Sequence, residues 1–347
     1  MKVTFLIGNG FDVSCGMRTT YRESYQEYIA LPSKSRLIEA FKAEISGDFE
    51  TWSDFEMGMS QYAHRLNSEE AFLSCIEDYS SFLREYLFKE ENRFRNEYEK
   101  HSPKEKEIII HRVRQSITDF YKGIIHNEER AISNNLGIGK TIMHFISFNY
   151  TNTFELLLKD AISSLANDDR KNYVFSNVLH IHGTLEEEMV LGVDNESQLS
   201  GLPYSLSYIG KCGFIKPFFN IEYDEARVSS AVNAINGSDC ICVFGMSLGE
   251  SDLSWKKAIA KWLIESTNHH IIYYDYDAMM KEKLAPHEIM RIVLLKKEEL
   301  ASKLNIDYET VKSQLHIPVC KVFFNTGTIV FTSVRSTMVR MPPTNLL

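Results

Sequence analysis

A chain of 347 residues has the length of two modest domains or of one core carrying a large insertion, at roughly 100–200 residues per domain. Its composition, 44% hydrophobic and 24% charged, excludes a disordered or collagen-like chain and a coiled coil along the whole length. A net charge of −9 counts against a non-specific binder of DNA or membranes, which needs a basic face.

No stretch approaches the ~18 apolar residues of a membrane span. The opening run Val3-Thr4-Phe5-Leu6-Ile7 is too brief for the apolar part of a signal peptide. The six cysteines (Cys15, Cys75, Cys212, Cys240, Cys242 and Cys320) are scattered, so reduced core thiols in a cytoplasmic protein are expected. No Cys-x-x-Cys occurs, and no metal is expected.

Four segments are short, apolar and rich in β-branched or aromatic residues: Val3–Ile7, Thr141–Phe148, Cys240–Phe244 and His270–Tyr274. A fifth, Asn177–Ile181, is weaker. Strands that are apolar without alternation are buried on both faces, which belongs to a parallel sheet covered by helices. The expected fold is therefore α/β, a Rossmann-like parallel sheet. Each of the four strong strands runs into a polar or glycine-containing turn, at the carboxyl end where doubly wound sheets place their ligands.

Residues 20–136 interrupt this pattern. Glu70–Glu97 carries apolar residues at spacings of three and four, an amphipathic helix. Ser102-Pro103-Lys104-Glu105 has the form of a helix start and predicts a second long helix to about Asn134. The Asn135-Leu136-Gly137-Ile138-Gly139 stretch then breaks it. The division expected is a core of residues 1–19 and 137–276, a helical insertion of 20–136, and a small C-terminal α/β extension of 277–347. That extension reads as helices to about 316 and a β-hairpin around Asn325-Thr326-Gly327.

Four places could carry chemistry. Gly8-Asn9-Gly10-Phe11-Asp12 follows the first strand; its glycines would let backbone N–H groups approach a pyrophosphate, or the turn is merely tight with Asp12 as a cap. Asn149, after the second strand, could bond a sugar hydroxyl or a water, or it caps the next helix together with Asn152. In His180-Ile181-His182-Gly183 the two histidines would share a strand face, and an imidazole is the group best suited to move protons near neutral pH. Gly245-Met246-Ser247-Leu248-Gly249 matches the letters of a nucleophile elbow, so a serine hydrolase using Ser247 stays open; Ser251 or Asp252 would cap the helix that follows.

Taken together, LIGNGFDVSCGMRTTY, Trp52-Ser53-Asp54-Phe55-Glu56, FNYTNTFE, HIHG and FGMSLGESD resemble the AbiH family of bacteriophage abortive-infection proteins. That family looks like a branch of the SIR2-like group of NAD-binding Rossmann-type domains. The resemblance covers about residues 1–20, 52–56 and 140–277. It implies that Gly8 and Gly10, with Asn9, Phe11 and Asp12 beside them, hold the phosphates of NAD. It also implies that Asn149 meets the nicotinamide ribose and a water, and that His182, before Gly183, is the catalytic histidine. Gly245, Ser247 and Asp252 would lie near the adenosine half. Residues 184–239 contain only Cys212, so the four-cysteine zinc module of sirtuin deacylases is absent.

What the resemblance implies is breakage of NAD at the nicotinamide–ribose bond with water as acceptor. Nicotinamide leaves as a neutral ring, so the site needs no acid at the leaving group; it must orient the ribose and accept a proton, a role worth typically about 10²–10⁴-fold. Unchecked NAD loss would kill the host, so the insertion, a homo-oligomer, a protein partner or a phage-derived trigger should hold activity back. The alternatives are a sensor or scaffold that binds NAD or a related nucleotide without cleaving it, and the Ser247 hydrolase. A nuclease has less support, since no clustered carboxylates for two-metal chemistry appear.

Overall fold

The structure, a computed structural model, describes residues 1–134, 139–166, 170–223, 225–279, 284–319 and 324. Its centre is a six-stranded sheet of β1 (Lys2–Ile7), β2 (Thr141–Ser147), β3 (Tyr173–His180), β4 (Cys240–Phe244), β5 (His270–Tyr274) and β6 (Leu315–His316). The spatial order is β3-β2-β1-β4-β5-β6 and every pairing is parallel. This is the Rossmann-like α/β architecture. The order reverses between β1 and β4, so the loops after these two strands diverge from a single point.

The strands are apolar on both faces because both faces are covered. Val3, Phe5 and Ile7 of β1 join one hydrophobic cluster, while Leu6 joins the cluster on the opposite side. In β4, Cys240, Cys242 and Phe244 point to the first cluster and Ile241 and Val243 to the second. Of the five described cysteines, Cys15, Cys75, Cys240 and Cys242 are buried.

On the first face lie α1 (Gly10–Ser14), the later part of the insertion and α8 (Thr153–Ser163). The second face is covered by α11 (Glu225–Asn236), α12 (Leu253–Glu265), α14 (Pro286–Lys303) and α15 (Tyr308–Val311), with short α13 (Tyr276–Met279) between.

The insertion begins with α2 (Tyr21–Ala30), α3 (Arg36–Gly47) and α4 (Phe55–Ala63), then α5 (Glu69–Lys100), α6 (Pro103–Thr118) and α7 (His126–Ser133). Its first part builds a third cluster around Tyr25, Phe41, Trp52, Phe55 and Tyr79. That cluster is closed by Leu185, Val193, Phe214 and Ile215, which come from the segment after β3. Two short helices of that segment, α9 (Tyr208–Phe214) and α10 (Lys216–Tyr223), are joined at Ile215. Helix α5 belongs to two clusters: Phe72, Tyr79 and Leu83 to the third, Phe94 and Tyr98 to the first.

Several expected boundaries differ. β2 ends at Ser147, and β3 is longer than foreseen, from Tyr173 to His180. The helix expected to run from Pro103 to about Asn134 is two helices, since α6 stops at Thr118 and the chain turns through Gly123 at φ 90°. The break lets Phe120 turn inward and meet Phe5 edge-on at 6.0 Å, so aromatic burial outweighs helix continuity. β6, only two residues long, was not foreseen, and the expected C-terminal hairpin lies outside the described residues.

The turns after β1 and β4 are pressed together. A Cβ on Gly10 would lie 2.5 Å from the Gly245 Cα, and one on Gly8 would lie 2.5 Å from the Gly245 carbonyl oxygen. Gly245 itself has φ +70° and no room for a side chain, with the Phe11 nitrogen 2.6 Å from an added Cβ. Gly245→Ala is therefore expected to lower stability by about 2 kcal/mol or more, through left-handed backbone strain and backbone overlap together. Urea denaturation of the variant against wild type measures it.

Candidate functional site

The glycine turn after β1 keeps its amides for the protein. Gly8 N–H donates to the Phe244 carbonyl at 2.9 Å, Gly10 N–H to the Gly245 carbonyl at 2.9 Å, and Phe11 N–H to the Gly8 carbonyl at 2.9 Å. The pyrophosphate contacts expected from Gly8, Gly10 and Phe11 thus have no free amide here. Asn9 is also engaged: its amide nitrogen donates to the Thr19 carbonyl at 3.0 Å, and its oxygen accepts from the Thr19 hydroxyl at 2.6 Å. Phe11 is a core side chain packed edge-on against Phe154 and Phe324.

Asp12 is different. It is the one residue of this turn whose polar side chain is buried with an unsatisfied atom. Its Oδ2 accepts from the Thr151 hydroxyl at 2.6 Å, while Oδ1 has no partner. Burial pushes its carboxyl up to about 7, against the lowering effect of the Thr151 bond; Glu91 of α5 pushes the same way as burial.

Beside it lies Asn149, whose amide nitrogen and oxygen are both buried and without a well-formed hydrogen bond; the amide is still near enough to the Asp12 carboxyl to help lower it, alongside Thr151. Neither Asn149 nor Asn152 serves as a side-chain cap of α8. Instead the Asn152 N–H donates to a carboxylate oxygen of Glu91, at 3.0 Å. An amide left bare in a buried site costs on the order of 1–3 kcal/mol and is uncommon without a functional reason.

His182 does not lie in the strand. β3 ends at His180, so the shared face expected for the two histidines does not form. His180 is a supporting residue, its Nδ1 3.2 Å from the Asn149 carbonyl oxygen. The His182 ring packs against Phe148 at 5.7 Å and Tyr150 at 6.3 Å, the two residues flanking Asn149. Burial above all, then the positive charges of Lys216 and Arg227, holds its pKa well below the usual histidine range, against a hydrogen bond to the Phe148 backbone. The ring is therefore neutral, and with its pKa depressed it is a weaker base than a free imidazole. Gly183 follows with φ +74°, and a Cβ there would meet the Glu188 carbonyl oxygen at 1.8 Å, so only glycine lets the chain fold back behind the imidazole.

Residues 148–151 thus present two polar faces. Asn149 and Thr151 look toward Asp12; Phe148 and Tyr150 look toward His182. Among the described contacts none joins the Asn149 amide to the imidazole.

A further charged group, not foreseen as a unit, stands on the His182 side. Lys216 at the start of α10 is buried, 3.8 Å from Asp194 and 3.9 Å from Glu56. Burial and Asp54 push the Glu56 carboxyl up to about 8 despite Lys216, and Tyr21 donates to it. Asp252 is likewise raised by burial, to about 6, with Lys216 opposing the shift. It receives the Gly249 N–H at 3.3 Å, while the N-terminus of α12 is met by Asp194 from the Ser254 N–H at 3.2 Å. Neither Ser251 nor Asp252 provides the expected side-chain cap. The sequence signal for this group was a single lysine within Phe214-Ile215-Lys216-Pro217-Phe218, and a glutamate inside an apolar helix.

After β4, Gly245 is locked against Gly10. Ser247 is exposed and its hydroxyl makes no hydrogen bond to a histidine among the described residues, so the elbow lettering is not matched by a Ser–His pair. Apart from Gly245, the left-handed residue of that loop is Leu248, at φ 53°, not the serine. Among the described residues no group of three or more His, Cys, Asp or Glu side chains is arranged to hold a metal, and no helix is long and apolar enough to cross a membrane.

A parallel sheet in this order, with orphaned polar atoms at its point of reversal, defines a Rossmann-like α/β protein whose candidate site lies at the carboxyl ends of the strands. A family model described as "Bacteriophage abortive infection AbiH" matches residues 4–274, and the chain belongs to this family of phage abortive-infection proteins. Comparison with curated proteins gives no match, and comparison with solved structures gives none either.

The raised carboxyl of Asp12 has a consequence for stability. Below pH 3.8 it is protonated folded or unfolded; as pH rises toward about 7 the unfolded chain ionises first, so stability is lost over that window. Asp12→Asn is expected to match wild type at pH 4 and to exceed it by ~2 kcal/mol at pH 8. Denaturant titrations at the two pH values check the sign.

Proposed function

We propose that this member of the AbiH family is an antiphage effector of SIR2-like type that hydrolyses NAD at the nicotinamide–ribose bond. The observation that carries the reading is the buried Asn149 amide set against the buried Asp12 carboxyl, neither fully satisfied by the other, at the carboxyl ends of the strands of a Rossmann-like sheet. A ribose offers both donors and acceptors through its hydroxyls, which suits one amide and one carboxyl oxygen. The residues present fit the ribose end of a dinucleotide. The fit at the phosphate end is poorer, because the amides of Gly8, Gly10 and Phe11 already have acceptors.

NAD brings a cationic ring that departs neutral. The chain's own part is to bind, orient and move one proton. Asn149 holds ribose hydroxyls on the Asp12 face of the 148–151 turn; His182 packs on the other face, so the attacking water would have to lie between the two. Asp12, with a pKa near 7, accepts a hydrogen bond from a hydroxyl at little penalty. His182, kept neutral by burial, accepts the proton that the water loses. On the His182 side, Asp194 and Asp252 stand beside the Lys216 ammonium, while Glu56, raised to about 8, is mostly protonated near neutral pH.

The test is to infect cells carrying the protein and follow nicotinamide and ADP-ribose by mass spectrometry, with the purified protein and NAD alongside. Wild type is expected to consume NAD on infection and to turn over slowly when isolated. His182→Ala should abolish NAD loss, and Asn149→Ala should reduce it at least about 100-fold, with the fold retained in both. Equal NAD consumption by purified His182→Ala and wild type would overturn the assignment. NAD bound without nicotinamide release would favour a sensor instead.

A further inference from the structure

We propose that Lys216 is a positioning residue of the candidate site: its ammonium ties Glu56 of the helical insertion to Asp194 of the loop behind His182 and sets the charge beside the imidazole. It deepens the NAD-hydrolysis reading, on which only its effect on catalysis rests.

The backbone supplies the first part of the argument. Val190 N–H donates to the His182 carbonyl at 2.9 Å, which folds the following loop back over the histidine. The same loop is then stitched to the α9–α10 junction, by Val193 N–H to the Phe214 carbonyl and Lys216 N–H to the Val193 carbonyl, each at 2.9 Å. Lys216 is therefore held to the His182 loop by its own amide, whatever its side chain does.

The side chain supplies the second part. Its ammonium is 3.8 Å from Asp194 and 3.9 Å from Glu56, a contact that spans the third hydrophobic cluster and the histidine loop. Burial disfavours the charge, but Glu56, Asp194, Asp252 and Asp54 outweigh it and keep the amine protonated, above the ordinary lysine range. One cation thus faces four carboxyl groups, Glu56 among them being mostly protonated near neutral pH. Without it the ionised ones would stand uncompensated in a buried site, which is strongly destabilising.

The groups bearing on His182 are the Phe148 backbone and the cations Lys216 and Arg227. Burial is the largest influence on the ring; removing the ammonium removes one of the two charges that act with burial to keep it neutral. A merely structural lysine would alter stability and leave the titration of the ring where it was.

The experiment is an NMR titration of histidine-labelled protein, with His182→Gln identifying the ring signals. In wild type His182 should stay neutral through the folded range. In Lys216→Gln its midpoint should rise by about one pH unit or more, a tenfold change in protonation equilibrium, and Lys216→Arg should restore the wild-type curve. Should Lys216→Gln fail to fold, Lys216→Gln/Glu56→Gln removes the ammonium with a carboxylate partner and gives the same reading. An unmoved midpoint in a folded variant lacking the ammonium overturns the proposal. A moved midpoint in a protein that never consumes NAD would keep Lys216 and discard the hydrolysis; NAD loss with an unmoved midpoint would do the reverse.

Discussion

The structure depends on how closely two strand ends can approach. Gly8, Gly10 and Gly245 have no side chains, and the backbones after β1 and β4 use that space to touch. Because Gly10 also begins α1, this contact decides where Asp12 stands, two residues on, beside Asn149 and Thr151. A single added methyl group would push α1 away from β4 and move the carboxyl off its partner. The same three glycines thus serve stability and site geometry at once.

Asp12, in turn, couples the sheet to the insertion. The second strand's turn meets α1 through Thr151 and meets α5 through the Asn152–Glu91 bond. On its other face the turn packs on His182, whose loop closes the cluster that the insertion builds. The polar groups at the end of the sheet are therefore walled partly by insertion residues about 50 positions from the nearest strand, Glu56 and Glu91 among them. Their removal from water raises the carboxyls of Asp12, Glu56 and Asp252 and depresses the imidazole, an arrangement in which proton transfer needs little further change of charge.

Much of this was legible in the sequence. Unbroken apolar runs such as Cys240–Phe244 announce strands covered on both faces, and the spacing of Phe72, Ile76, Tyr79 and Leu83 announces α5. Asn149 and His182 stood out because each follows a strand at the end where ligands bind. The glycine turn misled, since a missing Cβ signals only that something comes close; whether that is a phosphate or the backbone of Gly245 is a tertiary fact. Lys216 and Glu56 were silent for a similar reason. A charged residue between apolar neighbours looks like a surface position until the fold brings four carboxyl groups around it. The interruption between α6 and α7 depended on Phe120 finding Phe5, a contact no local pattern records.

Helix α5 runs unbroken for 32 residues, about 48 Å at 1.5 Å per residue. Its outer half is embedded in one greasy mass and its inner half in another, with Glu90 and Glu91 buried at the changeover and clasped by Arg18, Arg93 and Arg95. A continuous helix cannot bend sharply without breaking its own backbone bonds. It ties the two clusters into one frame, and Glu91 at the changeover is also the acceptor of the Asn152 N–H, so the helix and the turn after β2 share one anchor.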